Sequence, residues 1–531
     1  MEIPIKLNLP DQENVDPLGQ ALVNVVVADS GIRLRPGYSD VIDTGSGVAI
    51  DGIYDWEEEG YIIVVSGGSV FKLSDSVITS FSNLLLEDGT ELLLEDGTGS
   101  LLLEAEAAIT DVTNDTLQTG ARVIFANFRN KLYMANGGKI IELHPSQDVV
   151  SHGGTTYTAI LNSINIEPGV DAETATYWTA TGSGGDAWVA TTRYGSGTAD
   201  YLEDALVPTT VFWIGVADKY LFALEPSTER LHFSVVDEPW NFDADWVSAE
   251  FLPDDATCLR VYNGDVWVGG RRSIQSFDND GSTPWVPSGY GAITSGVLAP
   301  YSFMHINGTF YWIDTQRRLV ALNGREPVSV NKTLDTYLNT LSQVSDAIAD
   351  YIVIDGIQYY ILQFPSEDKT IALNVDSNAW AEWLYMPTGF EYKWAANCMT
   401  YVPTWDLVMM GDRADGFVKS IDSSCQQDDG VDIGGTIRSP RIQTMGTTVV
   451  GSLAVGFTKV SKTISSGSSS ITVKWRSDGK DWTTPRTITL DDSKTDFVKY
   501  IRRCGSYRYN RQYEFDLTNI WPYAIQKVEQ L

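Results

Sequence analysis

Residues 351–375 read YIVIDGIQYYILQFPSEDKTIALNV, and this stretch decides the fold prediction. Three runs of apolar and aromatic residues follow one another, and the pair Asp355-Gly356 separates the first run from the second. An Asp-Gly pair tolerates positive φ angles and therefore suits a two-residue hairpin turn. The stretch predicts consecutive antiparallel strands.

The same pattern recurs along the chain, with other copies beginning near Tyr61, Val123, Val211, Leu259, Phe303 and Met399. Asn263-Gly264 and Asn307-Gly308 occupy the place of the Asp-Gly pair in two of these copies. From the fourth copy onward the starts lie roughly 45 to 50 residues apart, which is the spacing of propeller blades. Each copy yields three or four strands that cannot bury both faces alone, and radial stacking would cover them.

We therefore predict an all-β protein: a β-propeller of six or seven blades with a C-terminal β-sandwich domain and inserted loops. The propeller is assigned to residues 51–430, and residues 1–50 are predicted to form an extended segment that closes or flanks it. The sandwich is assigned to residues 431–531, where the Gly/Ser-rich stretch SKTISSGSSS precedes the alternating strand ITVKW. A set of β-sandwiches in place of the propeller is the alternative.

Two insertions and one helix interrupt the repeated pattern. Residues 144–208 are rich in Gly, Thr and Ser, and they are predicted to form an inserted loop or hairpin at the propeller rim. The other insertion spans residues 83–104. A short helix is predicted from residue 331, with Asn331 or Thr333 as its cap. Its apolar residues recur at helical spacing and are Leu334, Leu338, Leu341, Val344 and Ile348.

The sequence LLLEDGT occurs twice in the insertion at residues 83–104, and a third copy ends after LLLE. Its apolar runs are far shorter than the roughly 20 residues of a membrane-spanning helix. Their period is also too short for a leucine-rich solenoid. Asp-Gly pairs after the first two runs predict three small strands over residues 84–104. Leucines on both faces make Leu85 and Leu93 candidate subunit contacts, and a flap on its own domain is the alternative.

Charge and cysteine content limit the function classes. The chain has 37 Lys and Arg against 70 Asp and Glu, a formal net charge of −33. Such a surface repels phosphates, which argues against stable DNA binding but is compatible with a channel through which DNA slides. The four cysteines form no CxxC pair, which argues against a disulfide framework or zinc knuckle. The N-terminus MEIPIKLNLPDQ does not resemble a signal peptide, so synthesis in the cytosol is expected.

No catalytic, cofactor or metal site is predicted. The chain contains no GxSxG nucleophile elbow and no HxxxH or HxH zinc pair. The stretch WRSDGKDWTTPR at residues 475–486 resembles the Asp-box turn of sialidase-like propellers, which is a structural turn. We predict a hairpin turn with Trp482 packed on its own sheet. The four histidines are spread along the chain and are His144, His152, His232 and His305.

Two functional alternatives stay open at this stage. A glycan- or receptor-binding propeller could use surface tryptophans such as Trp178, Trp188 or Trp285. A propeller glycosidase would need convergent carboxylates, which the 70 acidic side chains could supply.

A basic cluster with interleaved tyrosines, YIRRCGSYRYNRQYEF, begins at residue 500. Arg and Tyr are both enriched in protein interfaces. Strand alternation predicts Tyr507 and Tyr509 on one face and Arg508 on the other. In so acidic a chain the cluster is a candidate dock for an acidic neighbour, with a solvated sandwich face as the alternative. The predicted subunit-contact arginines are Arg502, Arg503, Arg508 and Arg511.

The order of these elements resembles the packaged-DNA stabilisation or tail-hub (nozzle) family of short-tailed bacteriophages. IRLRPGY at residues 32–38 is similar to the family's N-terminal arginine-proline-glycine element. VWVGGRRSIQSFDNDG at residues 266–281, YYILQFPSEDKTIALNVDSNAW at residues 359–380 and the C-terminal stretch also resemble family segments. The two insertions depart from the pattern.

This resemblance implies a structural virion protein rather than an enzyme. It implies a ring of six copies below the portal–adaptor complex that continues the DNA channel, helps to retain packaged DNA and lets it pass on ejection. The implied partners are further copies of the chain, adaptor or portal proteins, and other tail proteins such as a needle or receptor-binding spike. Contact with DNA would be transient, and no stable membrane insertion is expected. The implied location is the virion tail, after synthesis in the host cytoplasm.

Overall fold

Antiparallel strands make up almost all of the secondary structure. The computed structural model describes residues 2–3, 21–28, 31–74, 109–152, 155–159, 161, 168, 178–182, 196–202, 206–225, 227–249, 251–252, 254–281, 285–288, 291–385, 392–422, 425–460, 469–491, 493–520 and 522–531. The chain divides into two units. Unit 1 comprises Met1–Asp40, Val297–Met409 and Lys419–Leu531, and unit 2 comprises Val41–Gly296 and Met410–Val418.

Unit 2 contains four-stranded antiparallel sheets that follow one another along the chain. The first sheet consists of Ile50–Trp56, Tyr61–Ser66, Ser69–Ser74 and Ile109–Asp111. The second consists of Ile124–Phe128, Lys131–Ala135, Ile141–Leu143 and Ala199–Tyr201. The third consists of Trp213–Ala217, Tyr220–Leu224, Arg230–Val235 and Glu238–Ser248. The fourth consists of Ala256–Tyr262, Asp265–Gly270, Ile274–Asp278 and Val286–Pro287.

Neighbouring sheets of unit 2 approach closely at glycines in their first strands. A Cβ atom on Gly52 would lie 2.8 Å from the Cβ of Val123 and 2.9 Å from Cε2 of Phe125, at the start of the second sheet. A Cβ atom on Gly215 would lie 2.7 Å from Cδ2 of Leu259 in the fourth sheet. Because a side chain at either glycine would hold the sheets apart, these glycines allow the sheets to stack as propeller blades do.

The hairpin turns predicted at residues 263–264, 307–308 and 355–356 are confirmed. Asn263 and Gly264 have φ angles of 54° and 87°, and Asp355 and Gly356 have φ angles of 52° and 72°. Each pair joins the first and second strands of its sheet, as does Asn307-Gly308. Positive φ at both central residues matches the right-handed twist of the flanking strands.

The insertion predicted at residues 144–208 contains a small sheet of its own. Val149–His152, Thr155–Ala159 and Trp178–Gly182 form a three-stranded antiparallel meander. Its core is made by Val150, Ala159 and Trp178. The chain enters this meander from the third strand of the second sheet and returns as the fourth, Ala199–Tyr201. The other predicted insertion, residues 83–104, lies outside the described residues, and so do Leu85 and Leu93.

Sheets of the same kind continue along the chain after residue 297. One consists of Met304–Ile306, Thr309–Ile313, Leu319–Asn323 and Glu326–Ser329. The next four strands form one end of a ten-stranded sheet, and they are Ile348–Ile354, Ile357–Phe364, Lys369–Asn374 and Trp380–Glu382. A further sheet contains Ala396–Val402, Leu407–Asp412, Phe417–Asp422, Gly37–Asp43, Gln427–Asp428 and Val431–Asp432, in that order. The short pair Leu384–Tyr385 and Tyr392–Lys393 stands apart.

Two sheets of unit 1 form the C-terminal sandwich. The front sheet contains Val25–Ala28, Gly31–Leu34, Tyr523–Gln530, Ser452–Lys459 and Asp496–Arg502 in spatial order, and Glu2–Ile3 also pairs with Tyr523–Gln530. The back sheet is the rest of the ten-stranded sheet, in which Ala21–Val23 pairs in parallel with Trp380–Glu382. It contains Ala21–Val23, Thr436–Arg438, Asn510–Asn519, Ser470–Ser477 and Arg486–Thr489, with Ile442–Gln443 paired to Asn510–Asn519. Between the sheets, buried Gln530 donates to the hydroxyl of Tyr513 at 3.1 Å. Strands near the N-terminus thus belong to both sheets.

The predicted helix is present but shorter than its apolar spacing indicates. It spans Lys332–Leu338, and the side chain of Asn331 accepts hydrogen bonds from the N–H groups of Thr333 and Leu334. Asn331 is therefore the N-cap. Leu341 and Val344 are buried, but they lie in the irregular segment after the helix, and Ile348 begins a strand. Buried residues outside a helix can also recur at helical spacing. The prediction that the helix continues to Ile348 was therefore wrong.

The protein is an all-β protein of β-propeller type, as predicted. The described residues add one α-helix and the short 3-10 turns Glu57–Glu59, Pro300–Ser302 and Pro365–Glu367. Within these residues, no helix is long and apolar enough to cross a membrane. The blade number and the domain boundaries stay predictions.

Candidate functional site

Positive charge is concentrated in the C-terminal part of the chain. Residues 431–531 contain fifteen Lys and Arg against nine Asp and Glu, whereas residues 1–430 contain 22 against 61. The formal balance is therefore +6 in the C-terminal part and −39 in the rest. Surfaces of opposite sign on one kind of chain can attract each other between copies.

Residues 35–38, with the sequence RPGY, anchor the N-terminal segment within unit 1. Arg35 is fully buried, and its guanidinium donates hydrogen bonds to both carboxylate oxygens of Asp428, at 2.9 and 2.5 Å. It also donates to the carbonyl of Leu384 at 3.0 Å and to Oδ1 of Asn24 at 3.1 Å. These acceptors are needed because an unpaired charge in a protein interior is costly.

Aromatic rings surround the same guanidinium. The ring centroids of Trp383 and Trp394 lie 6.0 and 5.6 Å from Cζ of Arg35, within range of cation–π attraction. Tyr38 packs edge-on against Trp394, with ring centroids 6.4 Å apart. Burial, together with the charge of Asp428, raises the pKa of the Tyr38 phenol. The RPGY element is therefore a structural anchor made of buried polar and aromatic groups.

We call residues 444–449 and 502–509 together the C-terminal tip. The two stretches run side by side, and the N–H of Thr444 donates to the carbonyl of Tyr509 at 3.0 Å. The guanidinium of Arg508 lies 5.6 Å from the ring of Tyr509. Exposed apolar and cationic side chains occur together here, which is a composition found in interfaces. They are Met445, Val449, Tyr509, Arg502, Arg503 and Arg508.

Asp478 organises the C-terminal tip from the neighbouring hairpin. Its carboxylate accepts the backbone N–H groups of Arg508, Tyr509 and Asn510 at 2.9, 2.7 and 3.0 Å. These donors lower the pKa of Asp478, with Tyr509 contributing most. Asp478 and Gly479 have φ angles of 51° and 74°, so the Asp-box-like stretch is a turn, as predicted.

Replacement of Asp478 by alanine should loosen the C-terminal tip and leave the fold in place. Three N–H groups would lose their acceptor, so we expect hydrogen exchange at residues 508–510 to accelerate at least about tenfold. Exchange measured by mass spectrometry or NMR would test this. Asp243→Ala is the matched control, because Asp243 accepts only a local N–H from Asp245 on the surface. Unchanged exchange at residues 508–510 would contradict the role of Asp478.

Arg511 does not share the exposed position of the other predicted contact arginines. It is 1% exposed, and its Nε donates to the hydroxyl of Ser477 at 2.9 Å. Its guanidinium packs 4.7 Å from the ring of Tyr507 and 6.0 Å from that of Tyr513. Arg511 is thus an interior residue of the sandwich. Contact of Arg502, Arg503 and Arg508 with another subunit stays a prediction.

The predicted alternation of the two tyrosines was wrong. Tyr507 is 2% exposed and Tyr509 is 62% exposed, so they do not share an environment. The chain bends at Arg508 and Tyr509 between strands Ser506–Tyr507 and Asn510–Asn519. The N–H groups held by Asp478 keep this bend in place, and strand periodicity does not apply across it.

The buried phenol of Tyr513 predicts a loss of stability in alkaline solution. Burial raises its pKa to about 12, although nearby Arg511 lowers it. Its stabilising contribution is full below the unfolded pKa near 10 and is lost as pH rises from about 10 to 12. We expect the free energy of unfolding to fall by about 1.4 kcal/mol per pH unit for this group in that range. Urea unfolding of wild type and Tyr513→Phe should show a shallower slope in the variant, and equal slopes would contradict the assignment.

Trp482 packs on the outer face of the back sheet, which confirms its predicted position. Its ring lies 5.7 Å from the guanidinium of Arg438, 5.4 Å from Nζ of Lys474 and 4.9 Å from the guanidinium of Arg476. Glu514 lies between the first two cations and pairs with each at 2.6 Å. This face therefore carries three cationic side chains beside one aromatic ring, and one carboxylate neutralises part of their charge.

The residues considered for other functions are placed differently. Trp178 and Trp285 are each 3% exposed, so they cannot serve as surface tryptophans for a glycan, and Trp188 lies outside the described residues. In the part of the chain that the structure describes, no group of three or more His, Cys, Asp or Glu could hold a metal ion. The four cysteines are free thiols.

Comparison with models of protein families shows the family to which this chain belongs. Residues 103–426, more than half of the chain, match the family Phage_stabilise, described as Bacteriophage P22 Gp10, beta-propeller. The chain belongs to this family. Membership in Phage_stabilise identifies it as a bacteriophage structural protein with a β-propeller, in agreement with the resemblance noted from the sequence. A search of curated protein sequences gives no significant match.

Solved structures similar to this Phage_stabilise protein are distant in sequence. The AfRom2 CNH domain is 7% identical, with a TM-score of 0.35, and the match covers 73% of this chain and 99% of that one. The N-terminal domain of Nup159 is 9% identical, with a TM-score of 0.34 and coverage of 76% and 98%. The extracellular domain of BT4673 from B. thetaiotaomicron is 8% identical, with a TM-score of 0.29. That match covers 91% of this chain and 57% of that domain.

Proposed function

We propose that the protein forms a ring in the tail of a short-tailed bacteriophage, below the portal–adaptor complex, as a hub or nozzle. The ring of six copies continues the DNA channel, helps to retain packaged DNA and lets it pass on ejection. Membership of the Phage_stabilise family over residues 103–426 carries this proposal. The ring contacts adaptor or portal proteins and further tail proteins such as a needle or receptor-binding spike. It is made in the host cytoplasm, and it is structural rather than enzymatic.

The charge of the chain supports passage rather than capture of DNA. With a formal charge of −33, most of its surface repels phosphates, so DNA would slide through the channel without stable binding. Retention would then depend on a constriction or on another protein that plugs the channel. Contact of DNA with the ring would be transient.

Immunogold electron microscopy of phage particles from the source lysate tests the location. Antibody raised against this chain should label the short tail, between the head vertex and the tail tip. A non-tail virion protein from the same particles provides the labelling control. Intact particles that carry no label on the tail would overturn the proposal.

A further inference from the structure

One edge of the front sheet is formed by a strand that pairs on one side. Asp496–Arg502 is the last strand of that sheet, paired on one side with Ser452–Lys459. Among the described residues no strand pairs with its other side. We call Asp496–Arg502 the edge strand. An open edge of this kind offers unpaired N–H and C=O groups to another chain.

The hydrogen-bond register shows which backbone groups point outward. The N–H of Arg503 donates to Gly451, and the N–H of Lys459 donates to Thr495, each at 2.7 Å. Along an antiparallel strand, the backbone N–H and C=O groups of successive residues point alternately to the two sides. The backbone groups of the odd-numbered residues of the edge strand therefore bond to Ser452–Lys459. The N–H and C=O groups of even-numbered residues 496, 498 and 500 face away from it.

The side chains on the outer face of the edge strand are exposed as well. Val498 is 51% exposed and Tyr500 is 59% exposed. Their neighbours across the sheet are Gly456 and Ala454, which are too small to cover them. Apolar side chains and free backbone groups on one edge are the features that accept an added strand.

The charge around this edge selects the kind of strand that would bind. Exposed cations flank its C-terminal end, where Arg486 donates from its guanidinium to the carbonyls of Arg502 and Arg503 at 2.6 and 3.3 Å. Arg502, Arg503 and Arg486 are all exposed. An extended segment that is apolar and acidic would complement this edge in both respects.

The chain itself contains such a segment. Residues 83–104 carry nine leucines, six acidic residues, no Lys or Arg and no Pro. We propose that this segment of one copy adds as a strand to the edge strand of a second copy. The inference rests on the proposed ring for its second copy, since a contact between two different surfaces of identical chains closes into a ring when its repeated rotation completes a full turn. In this proposal, Leu93 of one copy and Arg502 of the second copy belong to the same interface.

A set of variants that introduce one charge at an apolar residue of the full-length chain tests this pairing. Val498→Glu should weaken self-association at least about tenfold, because it sets a carboxylate against the acidic segment. Val328→Glu is the matched control, since Val328 also lies on the last strand of its sheet and is 49% exposed. The double variant Val498→Glu/Leu93→Lys should recover association. Sedimentation velocity measures all three, and association of Val498→Glu equal to that of wild type would overturn the inference.

Photocrosslinking separates this inference from the ring itself. The Tyr500→p-benzoylphenylalanine variant is prepared with heavy isotopes and with normal isotopes, and the two preparations are mixed before irradiation. Mass spectrometry then identifies the cross-linked peptides. Cross-links to residues 83–104 of the other isotopic form support the proposal. Cross-links to the same copy, or to another segment in chains that still assemble, overturn the pairing and leave the ring standing. A chain that stays monomeric at every concentration overturns both.

Discussion

Replacement of Arg35 by methionine is expected to lower the free energy of unfolding of unit 1 by about 3–5 kcal/mol. Methionine fills part of the space, but it leaves the carboxylate of Asp428 buried and unpaired, with 3% of that side chain exposed. The carbonyl of Leu384 would lose a donor as well. The cost arises mainly from the charge left behind, and a buried pair broken on one side is far more harmful than a surface pair lost.

Urea unfolding followed by tryptophan fluorescence measures this effect, because Trp383 and Trp394 surround the guanidinium. Lys494→Met is the matched control in the same unit. Lys494 pairs with Asp491 at 3.3 Å on the surface, with 58% of its side chain exposed, so its loss should leave the urea midpoint nearly unchanged. If Arg35→Met is as mild as Lys494→Met, the anchor does not stabilise unit 1 in the way described.

Features that depend on adjacent residues could be predicted from the sequence. The Asn-Gly and Asp-Gly turns were found because positive φ is a property of those residues themselves. Asn331 was one of the two predicted helix caps, and its interaction is also local, since its side chain accepts hydrogen bonds from N–H groups two and three residues away. The repeated spacing of such turns was enough to predict the propeller.

Features that depend on distant residues could not be predicted in the same way. The RPGY element is visible in the sequence, but Asp428, which pairs with Arg35, lies 393 residues further on. Arg511 has the same local pattern as Arg508, and only the contact with Ser477, 34 residues earlier, shows that it is interior. Pairing between distant strands decides both cases, and periodicity contains no information about it.

The charge partition is different, because the sequence already contains it. The net charge of −33 conceals the +6 balance of residues 431–531, and a count by segment would have revealed it. What the count cannot supply is geometry. The exposed side chains of Val498 and Tyr500, and the outward-facing backbone groups of the same two residues, become visible only once the edge strand is placed in its sheet.

Replacement of Gly37 by alanine should be among the most damaging single-methyl changes in unit 1. The N–H of Gly37 donates to the carbonyl of Cys425 at 2.8 Å, which draws the two segments together. A Cβ atom at Gly37 would lie 2.0 Å from the carbonyl oxygen of Gln427 and 2.7 Å from its carbon. Real Cβ contacts do not approach so closely, so the segment that carries Asp428 would have to move.

That movement would also disturb the buried pair between Arg35 and Asp428, so we expect Gly37→Ala to cost about 3 kcal/mol or more. Gly446→Ala is the matched control, because a Cβ atom there meets nothing within 4 Å, and it should unfold like wild type. Thermal unfolding of the two variants in parallel makes the comparison. A Gly37→Ala protein with the melting temperature of Gly446→Ala would mean that the anchor tolerates an extra methyl group. Combined with Arg35→Met, Gly37→Ala should add less than its full cost, since both changes act on the position of Asp428.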